Sequence, residues 1–420
     1  MSAEAASSVP VTVGNPQSSA STGPGTLRAL CEATLRQNWR EGVRHRDGTP
    51  FAYTCPSPGH YPWQWYWDSC FTAIAWRHFD PSRSRRELES LLSAQRDDGF
   101  IGHTIFWNTP LTGRRRWTYN VISPDDTMTA SIQPPILAWA WRIAVGDPAE
   151  VPAIVRHQAW IAEHRDLDGD CLIWIVQPDE SGLDASTQFD AIWERRAHGR
   201  PGFVALVRRN RQLGFDLRRV LAAGGPVCCE VMTNVLYNLS RLALGQPSLT
   251  PVIVERMYDE ATGLFRPLAR PAPSKTVATT WAALSPLALP DLPEAIGRRL
   301  VEEHLLDPRS FLTPVAPPSV AVNDPTFSVD DRGPLGVRRY WRGPTWVNAA
   351  WLLWLGLVRL GYAEESAALV GGLAGAIAKE RLREYYSPFT GSGMGATDFG
   401  WTSLIMEMVE HDDRAATSYL

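Results

Sequence analysis

"CLIWIV", residues 171–176, is the stretch whose reading decides the fold. It is the best strand candidate in the chain, a short run of branched and aromatic side chains, and it stands almost alone. The segments around it have helical spacing instead. "GTLRALCEATLRQNW" (25–39) is one, and "DPSRSRRELESLLSAQRDDG" (80–99) is another. In the second, Asp80 reads as the N-cap, Pro81 sits in the first turn and Gly99 closes the unit. "TMTASIQPPILAWAWRIAV" (127–145) and "PAEVPAIVRHQAWIAEHR" (148–165) follow as a pair. "CCEVMTNVLYNLSRLAL" (228–244), "TVATTWAALSPL" (276–287), "LPEAIGRRLVEEHLL" (292–306), "TWVNAAWLLWLGLVRLG" (345–361) and "EESAALVGGLAGAIAKERLREYY" (364–386) come later.

That makes roughly ten to twelve helices with no βαβ alternation. Long loops rich in Trp, Tyr, Gly, Pro and Asp separate them: "CPSPGHYPWQWYWDSC" (55–70), "GFIGHTIFWNTPLTGRRRWTYN" (99–120), "DESGLDASTQFD" (179–190), "RRYWRGPTW" (338–346) and "YYSPFTGSGMGATDFGW" (385–401). Long aromatic loops are unusual unless functional. The expected fold is therefore all-α, an (α/α)6 barrel: a toroid of helical hairpins whose loops meet at one mouth. No linker divides residues 26–420, which read as one domain. The Ser/Ala/Gly/Pro-rich stretch 1–25 reads as a disordered tail.

Composition narrows the function classes. The chain has 420 residues, 44% of them hydrophobic, and a net charge of −4. Neither nucleic acid nor a membrane surface is implied as partner, and no apolar run is long enough to span a bilayer. Residues 1–25 have neither the charged nor the apolar region of a secretory signal, so a cytoplasmic location is expected. Only Lys275 and Lys379 are lysines; the arginines are dispersed. The six cysteines (Cys31, Cys55, Cys70, Cys171, Cys228, Cys229) form no CxxC pair, and no His/Cys cluster has zinc spacing. Cys228 and Cys229 read as buried in a helix. No metal or cofactor is expected. Tryptophan is the outlier, with 18 residues against a usual share of roughly one in a hundred. Indole faces stack on sugar rings while the N–H still donates; a large aromatic core accounts for the count equally well.

Two motifs are set aside. "DLDGD" (166–170) resembles the start of a calcium loop, but the twelfth position is Gln177 where an EF-hand needs Glu. It reads as a tight turn. "GSGMG" (391–395) follows a helix rather than a strand, against a dinucleotide loop. His60 and His103 lie in aromatic loops where they could line a pocket, though a structural role is the plainer reading.

Glycosidic cleavage commonly uses two carboxyl groups facing each other across the sugar. Asp184 and Glu384 are the candidates in the aromatic loops. Asp184 has a Gly/Ser/Ala setting between Trp174 and Trp193; Glu384 sits at a helix end beside a Tyr-Tyr pair and a Pro/Gly turn. Each has a plainer reading: Asp184 as a helix N-cap, Glu384 as a surface acid near Arg381 and Arg383.

Four motifs resemble, in order and separation, those of glycoside hydrolase family 63 and its mannosylglycerate/glucosylglycerate hydrolase branch. They are "YPWQWYWDSCF" (61–71), "ESGLDAST" (180–187), "RRYWRGPTW" (338–346) and "REYYSPFTGSGMGATDFGW" (383–401). The second is shared in similar form with the family 37 trehalases. The likeness runs from about residue 61 to residue 401. It implies the (α/α)6 fold and an inverting mechanism, with Asp184 as general acid and Glu384 as general base. It places Tyr61, Trp65, Trp67, Asp68 and Gln133 around the sugar. Tyr340, Trp341, Gly343 and Trp346 form another wall, with Trp401 opposite. Arg342 braces its loop, and Asp179 and Glu180 support theirs.

Inversion needs roughly 6.5–9.5 Å between the carboxyls, to leave room for water. The acid must also be protonated near neutrality, so burial and Glu384 should raise the pKa of Asp184. The implied partner is a small carbohydrate, such as an α-glucoside or a glycoside of glycerate. Arg195, Arg208, Arg211 and Arg218 are candidates for holding a glycerate carboxylate. A neutral α-disaccharide, as in a trehalase, fits as well. A sugar epimerase or a non-catalytic sugar-binding barrel are the readings from other classes. Oligomeric state is not legible.

Overall fold

The computed structural model describes residues 24–108, 127–193, 200–273, 278–330 and 340–410. Arg195, Lys275 and the tail up to residue 23 lie outside the described residues.

Six helical segments form an inner ring. They are Tyr66–Trp76, Leu137–Ala144, Val231–Ala243, the 3-10 helix Trp281–Ala288, Val347–Leu360, and the 3-10 helix Gly400–Leu404 continued by Ile405–Val409. Each packs on the next and the last packs on the first, so the ring closes. Outside lie Pro81–Ser93, Pro152–Arg165, Thr250–Met257, Glu294–Leu300 with its π-helical continuation Val301–Leu305, and Ala363–Glu380. The sixth outer helix is the first in sequence, Pro24–Asn38, which packs on the last inner segment. The two ends of the chain thus complete the (α/α)6 barrel together.

The sequence explains the layering. Every residue of Tyr66–Trp76 and of Trp281–Ala288 is buried, because these segments are apolar nearly all round. Pro81–Ser93 instead buries Leu88 and Leu91 and turns Arg85 and Arg86 to the outside. Pro286 denies its segment a backbone donor, and that segment stays 3-10. At Gly356 a Cβ would lie 2.6 Å from Leu287 Cβ and 2.8 Å from its carbonyl oxygen. Only glycine lets those two inner segments touch.

Several sequence expectations shift. "CLIWIV" is no strand: only Ile173 and Ile175 make isolated bridges. Side chains satisfy much of its backbone. Ile173 N–H donates to Asn234 Oδ1 (2.8 Å), Ile173 O accepts from Asn234 Nδ2 (3.0 Å), and Val176 N–H donates to Glu180 (2.8 Å). Cys228 and Cys229 are buried, but in the strand Val227–Cys229, paired antiparallel with Leu268–Arg270. Their helix begins only at Val231, capped by Glu230. Pro134 and Pro135 confine the helix expected over 127–145 to Leu137–Ala144. The first helix begins at Pro24, two residues inside the expected tail.

Candidate active site

The aromatic loops converge through contacts distant in sequence. Ser57 Oγ donates to Thr397 O (2.8 Å), Gly400 N–H to Pro56 O (2.8 Å), and Trp67 N–H to Gln133 Oε1 (2.9 Å). Thr345 and Tyr386 exchange backbone hydrogen bonds.

Asp184 follows the 3-10 turn Pro178–Ser181. Gly182 ends that turn with φ 71°, and a Cβ there would lie 2.5 Å from the Trp67 indole. Glycine thus lets the loop lie flat on Trp67. Buried Glu180 anchors the turn by accepting from both arms of Arg165 (2.9 and 2.7 Å), from Ile132 N–H (3.2 Å) and from Val176 N–H (2.8 Å). On the other side, Arg342 Nε donates to Ala185 O (2.8 Å), and its two terminal nitrogens donate to Asp190 (3.0 and 2.6 Å). Arg342 braces the loop, as expected. Gly182→Ala forces a side chain into the left-handed region and onto Trp67. It should cost at least about 2 kcal/mol of stability, read as a fall in Tm.

The N-cap reading of Asp184 fails, because the next helical turn, Thr187–Phe189, begins after Ser186 and has no side-chain cap. Asp184 is exposed while Ser181, Leu183 and Ser186 beside it are buried. Solvent reaches it in a hollow that protein walls closely. Burial in that hollow, and then the charge of Glu384, push its carboxyl up to about 6.

Glu384 is fully buried, not a surface acid. It lies in the strand Arg383–Tyr386, paired with Gly393–Thr397, rather than at a helix end. Its Oε2 accepts from Ala396 N–H (2.8 Å), and its Oε1 accepts from the Tyr340 hydroxyl. Gly395, with φ 66°, gives it room: a Cβ there would lie 2.5 Å from Oε2. Tyr340 itself has a positive φ of 27°, a strained position for a bulky residue. Asp68, in the first turn of Tyr66–Trp76, is held well above the usual carboxylate range by burial and then by Glu384.

The expected wall residues separate into two groups. Tyr61, Trp65 and Tyr340 are partly exposed; Trp67, Trp341, Trp346 and Trp401 are buried behind them. Trp341 stacks on Trp346 at 3.9 Å and lies nearly parallel to Trp281 at 5.8 Å. Trp401 meets Trp67 and Trp346 edge to face. These four indoles form the layer that supports the hollow. Gln133 Oε1 caps the Trp67 N–H, which orients Trp67 and Asp68. Gly343 permits close packing: a Cβ would lie 2.0 Å from Ser328 O. Phe399, not anticipated as a wall residue, and His103 extend the aromatic chain through Tyr61 and Trp65.

Away from the hollow, "DLDGD" is a turn. Asp166 accepts from Gly169 N–H (2.7 Å) and Cys171 N–H (3.0 Å), while Asp168 and Asp170 pair with Arg256 and Arg270. Of the candidate cations, Arg208 and Arg211 are exposed on the helix Arg200–Gln212, and Arg218 donates to Asp166 O (3.1 Å).

Comparison with known proteins bears on this arrangement. The family model of a mannosylglycerate hydrolase MGH1-like glycoside hydrolase domain matches residues 61–244 and 246–402. Mannosylglycerate hydrolase of Rubrobacter radiotolerans is 27% identical, over 84% of this chain and 92% of its own. Glucosylglycerate hydrolase of Mycolicibacterium hassiacum is 26% identical, over 83% and 92%. Among solved structures, the family 63 mannosylglycerate hydrolase of Thermus thermophilus in complex with glucose superposes with a TM-score of 0.75. It is 25% identical, over 92% of this chain and 100% of that one. No helix among the described residues is long and apolar enough to cross a membrane. The family match takes in both the converging loops and the ring that carries them, and the chain belongs to the mannosylglycerate hydrolase-like glycoside hydrolases of family 63.

Proposed function

We propose that this glycoside hydrolase cleaves a small α-glycoside of glycerate, glucosylglycerate or mannosylglycerate, with inversion at the anomeric carbon. Asp184 protonates the departing oxygen, and Glu384 takes a proton from the attacking water. The observation that carries the reading is electrostatic: Glu384, 200 positions away in sequence, lies close enough to Asp184 to raise its pKa. Two carboxyls with different environments are what an acid and a base require. Among the described residues no side chain donates to Asp184, and it keeps its proton up to about 6. Glu384 is buried and accepts from two donors, Ala396 N–H and the Tyr340 hydroxyl, an environment unlike that of Asp184. The names of the relatives support glycerate as the aglycone.

One observation favours a neutral aglycone instead. Among the described residues, the guanidiniums that hold the Asp184 loop, Arg165 and Arg342, already pair with Glu180 and Asp190. Glucosylglycerate, mannosylglycerate and trehalose should therefore be compared as substrates, with the anomers followed by NMR. Hydrolysis of a glycerate glycoside releasing the β-anomer first is expected. An α-anomer first overturns inversion, and turnover of trehalose alone overturns glycerate. No hydrolysis at all returns the chain to the sugar-binding reading.

Two further results are expected. Activity requires protonated Asp184, so kcat/KM should fall as pH rises through about 6. Tyr340→Phe removes a donor to Glu384. The base is then less firmly held in place, so kcat should fall roughly tenfold with KM little changed.

We also propose that residues 26–420 act as one domain, and that the enzyme works in the cytoplasm, where its six unpaired cysteines would stay reduced.

A further inference from the structure

We propose that Asp179 is a substrate-binding residue, its carboxyl hydrogen-bonding a hydroxyl of the sugar held beside Asp184. This inference rests on the reading of Asp184 as the acid. In the sequence Asp179 and Glu180 look alike, two acids supporting one loop. The structure separates them. Glu180 has four donors and carries the anchoring. Asp179 has, among the described residues, one donor from another residue, Gln177 Nε2 to its Oδ2 at 2.9 Å, besides its own backbone N–H. Its Oδ1 is enclosed and has no hydrogen-bond partner among the described residues.

No cation among the described residues explains this carboxyl. Arg165 has both arms on Glu180. His103 Nδ1 lies 3.8 Å from Oδ2, beyond hydrogen-bonding reach. Burial drives that imidazole down to about 3, so it is neutral. Asp179 in turn is held well above the usual carboxylate range, by burial first and then by Asp184 and Glu180.

Its position fits a ligand contact. The side chain is 13% exposed, and it stands in the 3-10 turn Pro178–Ser181 that leads into Asp184. His103, its neighbour, packs edge to face on Trp65, which in turn packs on Tyr61. An enclosed polar oxygen without a partner is costly, and nothing else among the described residues uses this one. A sugar hydroxyl both donates and accepts, so it satisfies Oδ1 as a protonated donor.

The test measures hydrolysis by Asp179→Ala and Asp179→Asn, and the binding of glucose and mannose by calorimetry. Asp179→Ala should raise KM about tenfold, the loss of one hydrogen bond with a buried partner, with kcat within about threefold of the parent. Asp179→Asn, which keeps shape and hydrogen bonding, should restore most of that KM. Monosaccharide affinity, read on the Asp184→Asn chain with and without Asp179→Ala, should fall in parallel. Three results overturn the inference: an unchanged KM and monosaccharide affinity in Asp179→Ala; a fall in kcat alone, which makes Asp179 act through Asp184; or equal losses of Tm in both variants without a change in affinity. If the parent hydrolyses no α-glycoside, the functional reading fails, and the monosaccharide arm still judges Asp179 separately.

Discussion

Asp184→Asn is expected to lower kcat on a natural α-glycoside at least about 1,000-fold, the upper part of the range for a general acid. The chemistry predicts more than a loss. In the proposed role of general acid Asp184 serves only to protonate the departing oxygen, so its importance scales with how poor the leaving group is. On an α-glycosyl fluoride, whose fluoride leaves without a proton, the same variant should lose far less. Stability should hold, because the residues that fix this loop are Gly182, Glu180 and Arg342. Asparagine also removes a carboxyl that burial disfavours, so Tm above pH 6 should be unchanged or slightly higher. Equal losses on fluoride and natural substrate would mean that Asp184 binds sugar rather than donating a proton.

The ring of helices was legible because inner segments such as Tyr66–Trp76 are apolar nearly all round, and because few strands competed. What the spacing could not show is that Pro24–Asn38 supplies the sixth outer helix, since that pairing is set by closure of the ring. "CLIWIV" misled for a related reason: burial makes it apolar, yet Asn234 and Glu180 satisfy backbone groups that a neighbouring strand would otherwise take.

At the site, Asp184 and Glu384 were found by motif, but their environments were not. Glu384 looked like a helix-end acid because its strand is four residues long. Its donors, Ala396 N–H and Tyr340, come from a paired strand and a loop that no local pattern joins. Of the tryptophans read as a sugar-binding wall, Trp67, Trp341, Trp346 and Trp401 are buried and Trp65 is partly exposed, a difference that composition does not carry. Asp179 and Glu180 are adjacent and chemically alike, and only their partners tell them apart.

Glu384→Gln should abolish turnover on the fluoride and the natural glycoside alike, by at least about 1,000-fold. Water must be activated whatever the leaving group, so this variant lacks the substrate dependence of Asp184→Asn. Glutamine keeps an acceptor for one of the two donors and leaves the other facing an amide. Some loss of stability is therefore expected beside the loss of rate. A second variant separates the effects. Glu384→Ala opens space between Tyr340 and Ala396, and azide, which attacks without giving up a proton, can fill it. Azide should restore turnover of the α-glycosyl fluoride. It attacks the anomeric carbon from the face opposite the departing fluoride, forming the C–N bond as the C–F bond breaks, so the product should be the β-glycosyl azide. That single product tests two assignments together: the role of Glu384 and the side from which its water comes. An α-azide would instead mean double displacement, with a covalent intermediate on another carboxyl, and would remove Glu384 from the role of base.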